Sequence, residues 1–137
     1  MSERNKAQMR RVIEEVYNRG DLALVDELAT ADMVIHAASG DIVGREAIKA
    51  YVAALRGGFS DLHVTIEEQI AEGNRVVTRW TARGTHDGPF QGLAPTGRRA
   101  RVTGTDVDRL VDGRAVECWM QMDELGLMQQ LGAVAAA

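Results

Sequence analysis

The chain has 137 residues, 45% hydrophobic and 26% charged, enough apolar content for a buried core and too much for a disordered chain. Its net charge of −4 argues against nucleic acid or an anionic membrane as partner, because both demand clustered positive charge. The single cysteine, Cys118, excludes an intrachain disulfide and a two-cysteine metal site, and mid-strand it reads as a small buried hydrophobe.

The N-terminal MSERNKAQMRR lacks an apolar h-region, and no apolar stretch approaches the ~20 residues a spanning helix needs, so a cytoplasmic setting is expected. From Glu3 to Arg19, apolar residues fall at Met9, Val12, Ile13, Val16 and Tyr17, the spacing of an amphipathic helix. Ser2 can cap its start and Gly20 supplies a left-handed stop. Asp21 then caps a shorter helix carrying Leu22, Val25 and Leu28, and Met33 to His36 reads as a short strand. A third helix runs from Gly44 to Leu55, with Ile48, Tyr51, Val52 and Leu55 inward, and closes at Gly57-Gly58.

After Gly58 the period changes from 3.6 to 2. Leu62, Val64 and Ile66 alternate with polar residues, Gly73-Asn74 makes a turn, and a second strand runs from Arg75 to about Thr85. Asp87 to Gly97 holds both prolines and three glycines, so it is a loop long enough to be functional. Strands from about Arg101 to Val111 and from Arg114 to Asp123 flank Asp112-Gly113, the strongest hairpin signal in the sequence. Glu124 to Leu131 forms a last short helix. Helices followed by antiparallel hairpins make an α+β domain over residues 1–132, and 133–137 read as a frayed tail. The basic cluster Arg98, Arg99 and Arg101 reads as a solvated loop end beside Asp106 and Asp108.

A two-residue loop at Asp112-Gly113 puts Asp108 opposite Glu117, Asp106 opposite Trp119, Gly104 opposite Gln121 and Val102 opposite Asp123. One face then carries Asp106, Asp108, Glu117, Trp119, Gln121 and Asp123, and the other carries Val107, Val111, Val116, Cys118, Met120 and Met122. Either the acidic face meets water over a Met/Val core, or it lines a pocket and the Met/Val face packs against another subunit. A slip of one residue at a bulge swaps the two faces, and the pattern does not decide between them.

The run Gly84-Thr85-His86-Asp87-Gly88-Pro89-Phe90-Gln91-Gly92-Leu93-Ala94-Pro95-Thr96-Gly97-Arg98 resembles a motif of the SnoaL-like ester cyclases, or polyketide cyclases. So do Arg109 to Trp119, Asp123, and the ending Leu125-Gly126-Leu127-Met128-Gln129-Gln130-Leu131-Gly132, with His36, Gly44 to Ile48 and Phe59 to Leu62 in matching places. The resemblance spans nearly the whole chain. It implies a nuclear transport factor 2-like cone: N-terminal helices on a strongly curved antiparallel sheet that encloses a pocket. It also implies a cyclase or isomerase needing no cofactor, closing a ring by intramolecular aldol condensation of a polyketide-like carbonyl compound. The family's acid/base aspartate matches Asp123 by its place after Trp119 and before the closing helix, and the pocket reading of the acidic face follows.

In that pocket Trp119 would raise the Asp123 pKa towards working pH, although Asp123 also fits as the cap of the last helix. His36 would donate to an enolate oxygen or position a carboxylate. Gln121 and Asp106 would contact substrate, Asp106 at the far end of the ligand, and His86 would bind substrate or pin the Gly-rich loop. Trp80 and Phe59 read as core or pocket wall. Three scattered histidines without ligand spacing make a metal site improbable, and no dinucleotide, phosphate-loop or serine-elbow motif is present. The expected partner is a hydrophobic or aromatic small molecule, with a homodimer through the outer sheet face. Two other functions remain open: a non-catalytic small-molecule binding or accessory protein, and an epoxide or ester hydrolase using a carboxylate-activated water.

Overall fold

In the computed structural model, which describes residues 2–135, the helical half comes first, as the periodicities predict. Helix α1 (Ser2–Arg11) continues into a π-helical segment, Val12–Tyr17, whose wider winding belongs to the same apolar stripe. Gly20, at φ 74°, ends it. The freed carbonyls of Tyr17 and Asn18 each accept a 2.8 Å hydrogen bond from the Arg56 guanidinium, which ties the first helix to the third. A 3₁₀ turn at Leu22–Leu24 leads into helix α2 (Val25–Leu28); Asp21 precedes it but makes no capping bond. Strand β1 (Ala29–Ala37) is longer than the predicted Met33 to His36 and folds back on β2 (Gly40–Val43), a strand the alternation does not reveal.

Helix α3 (Arg45–Gly58), strands β3 (His63–Glu72), β4 (Arg75–Thr85), β5 (Arg99–Val111) and β6 (Arg114–Met122), and helix α4 (Glu124–Gln130) follow in the predicted order. The sheet runs β2-β1-β6-β5-β4-β3, so its edge strands do not pair with each other. It is mixed, since β1 lies parallel to β6 while the other pairings are antiparallel. The expected α+β cone, helices on a curled sheet, is therefore the fold. The last two residues of the predicted tail lie outside the described residues. Ala133 and Val134 both donate backbone hydrogen bonds to the Met128 carbonyl.

Two apolar clusters fill the concave side. One centres on Val16, Val52 and Val76, each at most 1% exposed, and the other on Phe59, Trp80, Phe90, Leu127 and Leu131. Each aliphatic side chain so buried contributes about 1.5–3 kcal/mol, which holds the helices on the sheet.

The β5–β6 register corrects the sequence expectation. The turn forms as predicted, with Asp112 at φ 51° and Gly113 at φ 77°, and Val111 pairs with Arg114. The ladder then slips between Arg109 and Leu110, leaving Val116 as an extra residue. Beyond the bulge Asp108 pairs with Cys118, Asp106 with Met120 and Gly104 with Met122. The acidic residues of β5 therefore share a face with the methionines of β6, and that face is the interior. The cause is hydrophobic: this register buries Cys118 and Met120 and leaves Glu117, Trp119 and Gln121 outside, whereas the unslipped one would bury a glutamate and a glutamine.

Candidate active site

Gly104 makes the site possible. On the inner face of β5 it sits opposite Trp80 of β4, and a Cβ there would come within 2.2 Å of the indole. The bare backbone lets the Trp80 ring lie across β5, and its Nε1–H donates a 3.1 Å hydrogen bond to Oδ1 of Asp106, two residues on. Asp106 lies at one side of a cavity with about 80 Å³ of room for water centres, bounded by Tyr17, Tyr51, Phe59, Trp80, Met120, Met122 and Leu127 among others. Besides Asp106 and Arg83, every residue lining this cavity is apolar, aromatic or glycine.

Burial pushes the Asp106 carboxyl up to about 6, against a smaller downward pull from the Trp80 N–H. Burial also lifts both tyrosines, Tyr51 to about 12 and Tyr17 well above the ordinary phenol range, so both remain hydroxyls at neutral pH. The Tyr51 hydroxyl makes only a weak 3.6 Å bond to the Met120 sulfur. Asp106 also borders a deeper cavity, with about 50 Å³ of such room, lined further by Thr78, Asp108 and Cys118. Asp108, fully enclosed there, is pushed up to about 8 by burial and by the neighbouring Asp106 charge.

Asp106, Asp108 and Cys118 place one polar atom each within 4.8 Å of one another, spacing compatible with a cation. Burial drives the Cys118 thiol far above neutral pH and keeps Asp108 protonated, so at pH 7 the group offers one anionic ligand, Asp106. That donor set is poor for a resident metal.

Of the residues singled out from the sequence, Asp106, Trp80 and Phe59 line the cavity; the others do not. Trp119 and Gln121 face outward because of the bulge, so they are not pocket residues. His36, one residue past the buried Ile35 on β1, also faces outward. Its Nδ1 bonds Asp41 at 2.9 Å and its Nε2 bonds Glu117 at 2.7 Å, while its ring lies 5.6 Å from Trp119. These bonds, the one to Glu117 foremost, raise the His36 pKa, and His36 followed by Arg109 lowers that of Glu117. Asp123 is exposed and caps α4, accepting the Gly126 N–H at 2.9 Å. Of its two sequence readings, the cap is the one with a contact to show.

His86 is wholly buried and pins the loop 87–97: its backbone bonds Arg98 and Gly97, and its Nδ1 accepts the Thr96 N–H. Met120 and Met122 border the cavity, which removes the apolar surface on which a dimer through them was predicted. Arg99 and Arg101 are exposed, but Asp106 and Asp108 do not balance them, since both turn inward. The residues missed were Tyr17, Tyr51, Met120 and Thr78 as cavity lining. The sequence did signal the two tyrosines, each on the inward stripe of its helix, but as core.

A family model, SnoaL-like polyketide cyclase, matches residues 7–131. Solved structures agree. A candidate SnoaL-like polyketide cyclase from Jannaschia sp. CCS1 is 27% identical, with 97% of this chain and 94% of that one covered and a TM-score of 0.90. IdmH, a candidate polyketide cyclase from Streptomyces antibioticus, is 32% identical over 93% and 98% of the two chains, with a TM-score of 0.80. AclR, a candidate hydroxylase from Streptomyces galilaeus, is 27% identical over 100% and 86%, with a TM-score of 0.88. No curated protein matches the sequence. No helix among the described residues is long and apolar enough to cross a membrane.

Proposed function

The chain belongs to the SnoaL-like polyketide cyclase family, and from that premise we propose that it closes a ring in a polyketide-like carbonyl compound by acid/base catalysis, with Asp106 as the acid/base. One observation carries the reading: a lone carboxylate at the inner side of an apolar cavity, its pKa raised to about 6. A general base works best when its pKa lies near the operating pH, because it is then ionised yet basic enough to accept a proton. At pH 7 Asp106 meets both conditions.

In the reaction, Asp106 removes a proton from the carbon between or beside carbonyl groups, and the enolate carbon attacks a second carbonyl of the same molecule. The proton on Asp106 then passes to the alkoxide oxygen formed in that attack. In this reading the Tyr17 and Tyr51 hydroxyls, held protonated by burial, donate to the oxygen on which negative charge grows. Phe59, Leu127 and Met122 supply the apolar wall that orients the substrate body and keeps water away. The test is turnover of a panel of polyketide methyl esters, followed by mass spectrometry. Asp106→Asn should cut turnover by about 10²- to 10⁴-fold while ligand binding survives, and Asp123→Asn should retain most of it. Equal activity in wild type and Asp106→Asn sinks the assignment, and binding with no turnover in either favours an accessory role. The proposal keeps a homodimer, now through outward residues including Trp119 and Val107. A monomer by light scattering removes that part.

A further inference from the structure

The deeper cavity behind Asp106 contains polar groups that this chemistry does not use. Thr78 lies directly opposite Asp106 in the β4–β5 register and is 1% exposed, and its hydroxyl has no hydrogen-bond partner among the described residues. A buried polar group left so costs about 1–3 kcal/mol, and native proteins meet that need with an internal water where there is room. There is room. The cavity's 50 Å³ exceeds the roughly 10–15 Å³ that one water requires. The other polar groups on its lining are the carboxyls of Asp106 and Asp108, the Cys118 thiol and the Tyr17 hydroxyl, and no lysine, arginine or histidine faces it.

We propose that Thr78, Asp106 and Asp108 together hold one buried water, and that Asp108, acting through it, is the positioning residue that keeps a proton next to the catalytic carboxylate. The inference rests on the assignment of Asp106. The hydrogen bonds balance. The Asp108 O–H donates to the water, the water donates to Asp106, and the Thr78 hydroxyl completes three contacts, the usual number for a buried water. Asp106 borders both cavities, so it meets substrate on one side and this chain of bonds on the other. Two carboxyls with oxygens within 4.8 Å do not both ionise readily in a low dielectric, so the proton stays on the more enclosed one, Asp108.

The Trp80 indole reports on this without any substrate, because its N–H is bonded to Asp106. Other titratable groups facing the pair are Tyr17, Tyr51 and Cys118, all pushed upward out of the neutral range, and Arg83 lines the cavity on the substrate side of Asp106. Following the Trp80 indole N–H resonance by NMR from pH 4 to pH 9 should give two steps, the lower from Asp106 and the upper from Asp108. Asp108→Asn, which is near-isosteric and uncharged, should delete the upper step and keep the lower. Thr78→Val should raise the lower midpoint by about 0.5 to 1 by weakening the bond to the charged form, and Thr78→Ser should restore it. A water–protein NOE to the Thr78 methyl should be present in the wild type. A single step in the wild type, an upper step that survives Asp108→Asn, or no internal water at Thr78 would overturn the proposal. Since no turnover is read, these outcomes are separate from the Asp106→Asn assay, whose failure removes the catalytic meaning of the site and not its water.

Discussion

The two faces of the β5–β6 hairpin carry the same chemical group into opposite environments. Inside, Asp106 and Asp108 make no salt bridge among the described residues, and burial raises both carboxyls. Outside, a few ångströms of backbone away, Glu117 is held between His36 and Arg109 and is lowered. The residue type is nearly constant and the reactivity is not. A carboxylate near solvent between a histidine and an arginine is a poor base; the same group enclosed in an apolar cavity beside an indole N–H is a competent one.

The largest expected effect breaks the inner half of that contrast. Asp106→Asn should cost turnover about 10²- to 10⁴-fold, the usual contribution of a general base, whereas Glu117→Gln should leave turnover within a factor of about two. Steady-state assays of the two variants side by side make the comparison.

Next in size is stability against pH. Asp106 and Asp108 have folded pKa values above the unfolded ones, so the native state binds more protons and stability falls as pH rises from about 4 to about 8. Asp108→Asn should remove much of that fall and make the protein more stable than wild type at pH 8, by on the order of a few kcal/mol. Urea melts at pH 5 and pH 8 measure it, and an unchanged pH slope in the variant would refute the burial argument.

Smaller is the effect of Gly104→Ala. A methyl group 2.2 Å from the indole forces Trp80 off the strand, at a cost of about 1–3 kcal/mol, and breaks its bond to Asp106. The melting temperature and the Trp80 indole resonance should move together. If the first falls and the second stays, the glycine matters to packing alone.

The smallest effect sharpens the outer half. Glu117→Gln removes the main cause of the raised His36 pKa, so that pKa should drop towards the ordinary histidine value in a proton NMR titration. Because His36 is raised in the fold, the stability it lends is present below its unfolded pKa and lost as pH rises through the folded value. The variant should therefore lose more stability at pH 5.5 than at pH 8.5, where only the Arg109 pair is given up.

Much of this fold was legible from local pattern. Met9 to Tyr17 announced a helix by spacing, Gly20 its end, and Asp112-Gly113 the hairpin, whose two positive φ values are those its residue types favour. The motif runs from Gly84 to Arg98 and from Arg109 to Trp119 led to the family, and through it to the cone. What failed was the assignment of faces. Val116 carries no mark of being the extra residue in a bulge, and one such residue turned Trp119, Gln121 and Glu117 out and brought Met120 and Cys118 in. The same slip left Asp106 facing the cavity without Trp119 and Gln121, while Asp123 is the cap of α4.

By itself, then, the sequence determined most of the elements and their order, because helix stripes, turns and caps depend on residues close along the chain. The tertiary structure alone decided which carboxylate is buried, the parallel pairing of β1 with β6, and the strand β2. Those depend on which of two registers buries more apolar surface and fewer charges, a competition between residues as far apart in sequence as His36 and Glu117.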